Sequence, residues 1–356
     1  MKNESLAGYG MKTRLLLIAA GCAMIARYAT AQTMMMHHHE TAASRATLRT
    51  FMDKGDLVFE LGPIRLPANA MHDDIVQPPP LTVQAGADGW AHGYAIEIVD
   101  SAGRPVPQKV VHHVNVIAPQ KRELFSQIML RLAAAGAETA PVGLPWFLGY
   151  QLQKSDSVLV TAMFHNPTPV DYGDVRVRVR MPLKKKGVVG AMAIYPFYLD
   201  VMPPAGSHSF DLPPGHSTMY WEGKPAVPGR ILGLSGHLHK YGTSLTLEDR
   251  TTGKVIWEGR PKVDSAGEVQ EMPVKKFLAT FGVGLDTAHT YRLTAVYDNP
   301  TGAPIIDGGM GALGGVFKPG DKAWPAVSPT DPDYVLDWRL QYRLESRDKK
   351  GPHGQH

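Results

Sequence analysis

Two stretches of this chain, more than a hundred residues apart, are near copies. The run Val158-Leu159-Val160-Thr161-Ala162-Met163-Phe164-His165-Asn166-Pro167-Thr168 closes as Thr290-Tyr291-Arg292-Leu293-Thr294-Ala295-Val296-Tyr297-Asp298-Asn299-Pro300-Thr301 closes. Each is an apolar, β-branched run that ends on an aromatic, one polar residue, then Asn-Pro-Thr. That pattern predicts a strand stopped by a turn, used twice. Self-similarity at this offset predicts two related β domains.

The rest of the chain agrees. Short apolar runs such as Leu57-Val58-Phe59-Glu60-Leu61, Tyr94 to Val99, Val110 to Ile117, Ile231 to Leu247 and Val255-Ile256-Trp257 sit between Pro and Gly clusters. Val175, Val177 and Val179 alternate with Arg176, Arg178 and Arg180, the mark of a half-buried strand with a charged outer face. A last run of the same style lies near Tyr334 to Leu344, and one helix is expected over Lys121 to Ala135. The expected fold is all-β, with few helices: two jelly-roll-like β-sandwich domains packed side by side.

The N-terminus reads as an export signal. Lys12 and Arg14 precede the apolar run Leu15 to Ala20, and Ala29-Thr30-Ala31 offers a small-residue cleavage site. The apolar run is too short to span a bilayer. Acylation at Gly21-Cys22, giving an anchored lipoprotein, is the alternative. The expected organisation is a signal peptide at 1–31, a Met/His-containing linker at 32–52, a first sandwich at 53–190, a Pro/Gly-rich connection at 191–228, a second sandwich at 229–346 and a polar tail at 347–356. The expected location is periplasmic or secreted.

The signal holds four of the chain's 37 basic residues and one of its 33 acidic ones, so the remainder carries only +1. That removes the support for nucleic acid or an acidic membrane as partner. The single cysteine is Cys22. Without thiolates in the mature chain, any metal must take His, Met, Asp or Glu.

Histidines gather around these strands. His112-His113 lies inside Val110-Val111-His112-His113-Val114-Asn115-Val116. Successive strand side chains point to opposite faces, so both imidazoles reach one metal only at a bulge or a strand end. Otherwise one is a core histidine and the other a surface one. His237 and His239, in Ser235-Gly236-His237-Leu238-His239, share a face if the segment is extended. His165 ends the first duplicated strand where Asp298 ends the second. It either serves chemistry or merely caps the Asn-Pro turn. Met310, within Asp307-Gly308-Gly309-Met310-Gly311, offers a soft thioether that favours Cu(I), or else fills a gap. Met34-Met35-Met36-His37-His38-His39 is either a copper-loading segment or a linker.

In order and spacing these segments resemble the copper type II, ascorbate-dependent monooxygenases, the family of peptidylglycine α-hydroxylating and dopamine β-monooxygenases. The matching pieces are His112-His113-Val114-Asn115-Val116, Phe164-His165-Asn166-Pro167, Gly236-His237-Leu238-His239 and the Gly308-Gly309 region, with Gly143-Leu144-Pro145 through Gly149-Tyr150 like the family's glycine-rich stretch. The resemblance spans roughly residues 55–345 and lies in the ordered set rather than in any one motif. It implies two copper ions per chain: one held by His112, His113 and His165 for electron transfer, one held by His237, His239 and Met310 at the catalytic site. It further implies hydroxylation of a C–H bond in a small organic substrate, with O2 and an electron donor such as ascorbate as co-substrates. The family's ligand methionine falls several residues after the Gly-Gly pair, where this chain has Val316-Phe317, so Met310 would serve from a neighbouring position. The family's disulfides have no counterpart. A copper-binding or storage protein, and a metal-free adhesion or glycan-binding sandwich, are the other two classes this sequence fits.

Overall fold

A computed structural model describes residues 44–137, 139–184, 192–206 and 208–342. The signal peptide, the Met34 to His39 run and the 347–356 tail lie outside the described residues.

The first group of strands is β1 (Thr47–Asp53), β2 (Asp56–Leu66), β3 (Leu81–Gln84), β4 (Gly89–Ala91), β5 (Gly93–Val99), β6 (Val111–Arg122), β7 (Met129–Ala135), β8 (Val142–Gly143), β9 (Leu148–Leu152), β10 (Ser157–Phe164), β11 (Tyr172–Lys184) and β12 (Met192–Ala193). The second is β13 (Tyr195–Asp200), β14 (Phe210–Leu212), β15 (Gly215–Gly223), β16 (Gly229–Leu238), β17 (Gly242–Asp249), β18 (Lys254–Gly259), β19 (Lys262–Val263), β20 (Val269–Glu271), β21 (Lys275–Lys276), β22 (Val283–Leu285), β23 (Tyr291–Asn299), β24 (Ile305–Gly309) and β25 (Gly311–Pro319). One α-helix, α1 (Pro332–Gln341), follows.

These strands make two jelly-roll-like sandwiches side by side. In the first, the sheet β1-β2-β11-β4-β9-β12, with β5 on β11, faces the sheet β3-β10-β6-β7. In the second, β13-β25-β16-β21 faces β15-β23-β17-β18. Each sandwich encloses its own apolar core, one around Phe59, Leu61, Val160 and Phe164, the other around Leu245, Leu293, Tyr297 and Phe317. The alternation on β11 is realised: Val175, Val177 and Val179 are buried, while Arg178 meets Glu60 at 2.7 Å and Arg180 meets Asp53 at 2.8 Å across the outer face.

The duplication is structural. β10 lies between β3 and β6 as β23 lies between β15 and β17. After each strand a buried Asn turns the chain with the same bonds. Asn166 Nδ2 donates to the carbonyls of Leu66, Pro67 and Val170, while its Oδ1 accepts from Thr168 N and Thr168 Oγ1. Asn299 Nδ2 donates to the carbonyls of Leu212, Pro213 and Ala303, and its Oδ1 accepts from Thr301 N and Thr301 Oγ1. The side-chain amide stands in for backbone partners that the turn removes.

Four expectations need correction. Lys121 to Ala135 is not a helix: Lys121 and Arg122 end β6, and Met129–Ala135 is β7. That strand is buried on both faces, with Leu130 and Leu132 in the first core and Met129 under α1, so burial overrides its helix-forming residues. The run near Tyr334 is helical, capped by Asp331, whose side chain accepts from Asp333 N at 3.0 Å, with Pro332 in the first turn. The stretch 191–228, expected as a connection, supplies β13 and β15 to the second sandwich. The expected linker 32–52 already contains the start of β1 at Thr47.

The two sandwiches meet through buried polar groups as well as rings. Glu123 accepts from Arg131 N at 2.7 Å and from Tyr198 N, on β13, at 2.9 Å. Arg131 forms a two-pronged pair with Asp337 of α1 at 2.7 and 3.0 Å. Tyr195 stacks on Trp324 at 4.0 Å and meets Tyr150 edge-on. Among the described residues no helix is long and apolar enough to cross a membrane.

Candidate metal centres

The first centre begins with a shift in strand register. On β10, Met163 faces His113 and Phe164 faces Val111, so the ladder skips His112. The extra residue is a β-bulge, which re-aims side chains that an even ladder would send to opposite faces. His112 Nδ1 then lies 3.1 Å from His113 Nδ1. The His112 ring sits 5.3 Å from the His113 ring and 5.7 Å from the His165 ring, both edge-on. His165 arrives by the strand that follows the bulge: its backbone N donates to Val110 O at 3.1 Å. Its Nε2 meets the Lys109 carbonyl at 2.6 Å. A carbonyl only accepts, so Nε2 carries the proton and the lone pair resides on Nδ1.

These spacings allow the copper fit to be tested. With metal–imidazole bonds of about 2.0 Å, two nitrogens on one ion stand about 3.3 Å apart and their ring centroids about 5–6 Å apart. The observed separations fall there, although edge-on ring packing uses the same range. As they stand, no group of three or more His, Cys, Asp or Glu among the described residues is arranged to hold an ion. The His112–His113 contact is a hydrogen bond in which one Nδ1 carries a proton that a cation would displace. The donor set fits copper: three imidazoles tolerate both of its oxidation states.

The second centre stands at the end of β16. His237 is within the strand and His239 is one residue past it, with their rings 5.2 Å apart. β25 runs antiparallel to β16, pairing His237 with Ala312 and Leu238 with Gly311. Continuing that register sets Met310 beside His239. Tyr297 ties the two together. Its hydroxyl accepts from His239 N at 3.0 Å and from Met310 N at 3.0 Å, and donates to Met310 O. Burial pushes the Tyr297 phenol up to about 12, so it stays a donor. The glycines around Met310 have a reason: a Cβ on Gly309 would overlap the Phe210 ring, and one on Gly311 would overlap Ala295. Two imidazoles and a thioether suit Cu(I).

Near His237 the outer face of the same sheet is open at Gly314. Register aligns Asp200, Ala312 and His237 in one row, and Tyr198, Gly314 and Ser235 in the next. A Cβ on Gly314 would meet nothing within 4 Å. Buried Asp200 closes the far end, accepting from the Tyr198 hydroxyl, from Met202 N at 2.9 Å and facing His208 Nδ1 at 3.0 Å.

Sequence reasoning raised a bulge only as a condition and missed the Lys109 carbonyl and Tyr297. Only Tyr297 left a trace, since the second run closes on a tyrosine where the first closes on Phe164.

No family model matches this chain, and no curated protein matches it. Among solved structures it is similar to PNGase F, a glycosylasparaginase from Flavobacterium meningosepticum, at 11% identity and a TM-score of 0.39 over 77% of this chain and 96% of that one. It is also similar to the major capsid protein P2 of bacteriophage PM2, at 8% identity and a TM-score of 0.32 over 75% of this chain and 100% of that one. Likenesses this remote carry no inference about chemistry.

Proposed function

We propose that this chain is an exported copper-dependent oxidoreductase of the monooxygenase type, hydroxylating a C–H bond of a small organic substrate with O2 and an external reductant such as ascorbate. The observation that carries the reading is the bulge at His112, which sets three imidazoles from two strands side by side. His112, His113 and His165 would hold the electron-transfer copper. His237, His239 and Met310 would hold the copper at the catalytic site. Bound copper supplies one-electron redox chemistry and the reaction with O2. The chain's part is to position. The Lys109 carbonyl fixes the His165 tautomer, the bulge turns His112 toward its neighbours, and the Tyr297 hydroxyl holds His239 against Met310. The open floor at Gly314, between Tyr198 and Ser235, is where a small substrate would lie beside His237.

The test is anaerobic copper titration of the purified protein, followed by oxygen uptake with ascorbate over a panel of small C–H donors. Two bound coppers and reductant-dependent uptake support the reading. Two coppers without uptake make this a copper-binding or storage protein. A protein that takes up no copper is a metal-free sandwich, and the proposal fails.

A further inference from the structure

We infer that Tyr297 is the positioning residue of the second centre: its hydroxyl holds the His239 and Met310 main chains in the relative placement that lets the imidazole and the thioether serve one ion. The inference rests on the reading of His237, His239 and Met310 as ligands.

Three observations carry it. The hydroxyl is fully used: a phenol has one proton and two lone pairs, and here it donates to Met310 O and accepts from both Met310 N and His239 N. It therefore joins two segments that come from different hairpins, the end of β16 and the β24–β25 corner. Met310 has no place in the β16–β25 ladder, which ends at the Leu238–Gly311 pair, so the ladder alone does not fix it.

The duplication supplies the second line. Phe164 occupies in β10 the place that Tyr297 occupies in β23, since Phe164 faces Val111 and Tyr297 faces Gly242 beside equivalent bulges. The residue after each binds back in the same way: His165 N to Val110 O at 3.1 Å, Asp298 N to Tyr241 O at 3.0 Å. The first copy forms this corner, and the Asn-Pro-Thr turn after it, with no hydroxyl on its aromatic, Phe164. The fold does not require one here. What the second copy adds is the bond to the two segments that carry His239 and Met310.

The third is the packing around the loop. Gly309 and Gly311 press the backbone against Phe210 and Ala295, where side chains would overlap. That close approach brings the Met310 amide and carbonyl within reach of the phenol. Phenol and glycines act as one clamp, on the thioether's backbone rather than on the ion.

The experiment compares wild type with Tyr297→Phe, both copper-loaded and then reduced without oxygen. X-ray absorption counts sulfur neighbours of copper, and competition with a chromophoric chelator gives Cu(I) affinity. Expected is a sulfur neighbour in wild type that Tyr297→Phe loses, with Cu(I) affinity at that centre down about 10–100-fold, the range for removing a group that orients a ligand. Copper at the three-histidine centre should be retained. A folded Tyr297→Phe that keeps the sulfur neighbour and the wild-type affinity overturns the inference while leaving the ligand reading intact. Absence of sulfur in the reduced wild type instead defeats the ligand reading, and the inference with it. If Tyr297→Phe does not fold, amide exchange in the metal-free wild type decides: His239 and Met310 amides should be protected like strand amides, and exchange at open-turn rates overturns the clamp.

Discussion

Glu123 should make stability fall as pH rises through neutrality. This carboxyl is fully buried where β6 ends, against β7, β13 and α1. Removal from water raises its pKa from 4.5 to about 7, outweighing two amide donors and the Arg131 guanidinium, while Asp337 reinforces the rise. In the unfolded chain the same group ionises near 4.5. Below that value both states hold the proton, and the stabilisation is fully present. Between 4.5 and about 7 the fold holds a proton that the unfolded chain has released, so unfolding free energy drops with a slope of up to about 1.4 kcal/mol per pH unit. The accumulated loss at pH 8 is about 3 kcal/mol. That is a sizeable part of the ~5–15 kcal/mol typical of a fold. The assay is urea unfolding of wild type and Glu123→Gln at several pH values from 5 to 8, with the difference between the two curves as the readout. Every other titratable group is common to both proteins and cancels in that difference. The Gln amide also sets N–H groups against backbone donors, so the variant's absolute stability is uninformative; the pH slope is the quantity compared. A wild-type minus variant difference that stays flat across this range would refute the argument.

Replacing His237 and His239 together by Ala should remove about one copper per chain by elemental analysis; unchanged stoichiometry would remove the second centre. Met310→Leu should weaken Cu(I) binding more than Cu(II) binding in parallel titrations, and an equal effect on both would mean that the thioether is no ligand. Gly314→Leu should raise KM with copper content unchanged, because its side chain starts from a Cβ position with nothing within 4 Å and grows into the proposed floor; an unaltered KM would place the substrate elsewhere. Asn166→Ala should cost roughly 3 kcal/mol in urea unfolding, because several buried carbonyls and an amide lose their partner. A loss under about 1 kcal/mol would mean that water replaces the side chain.

The β architecture is legible in the sequence because period-two alternation and Pro/Gly punctuation are local signals. Val175, Val177 and Val179 announce their strand without help from the rest of the chain. Where three-dimensional surroundings decide, that legibility ends. Met129–Ala135 has the composition of a helix, yet it is a strand covered on both faces, by a core on one side and by α1 on the other. Neither cover can be read from the segment itself. The run near Tyr334 reads as one more short strand, whereas Asp331 and Pro332 start a helix there. In the candidate centres the residue types were legible and the geometry was not. Neighbouring histidines on a strand should point apart, and only the pairing of β10 with β6 reveals the bulge that brings them together.

That bulge belongs to the scaffold rather than to the metal. β23 pairs with β17 by the same skip, Tyr297 facing Gly242 and Val296 facing Ser244, with Thr243 left out. Thr243, Ser244 and Asp298 thus occupy in the second sandwich the places of His112, His113 and His165 in the first. A kink present with and without imidazoles is a property of the repeated fold, and three side-chain identities separate a candidate metal centre from an ordinary strand end. The second sandwich places its own histidines on the facing sheet, at the end of β16, and joins His239 to Met310 through the hydroxyl that Phe164 lacks. One duplicated framework thereby offers two dissimilar candidate ligand sets, all-imidazole and imidazole with thioether. The proposed divided redox task would use such a difference, with one ion accepting either oxidation state and the other favouring the reduced one.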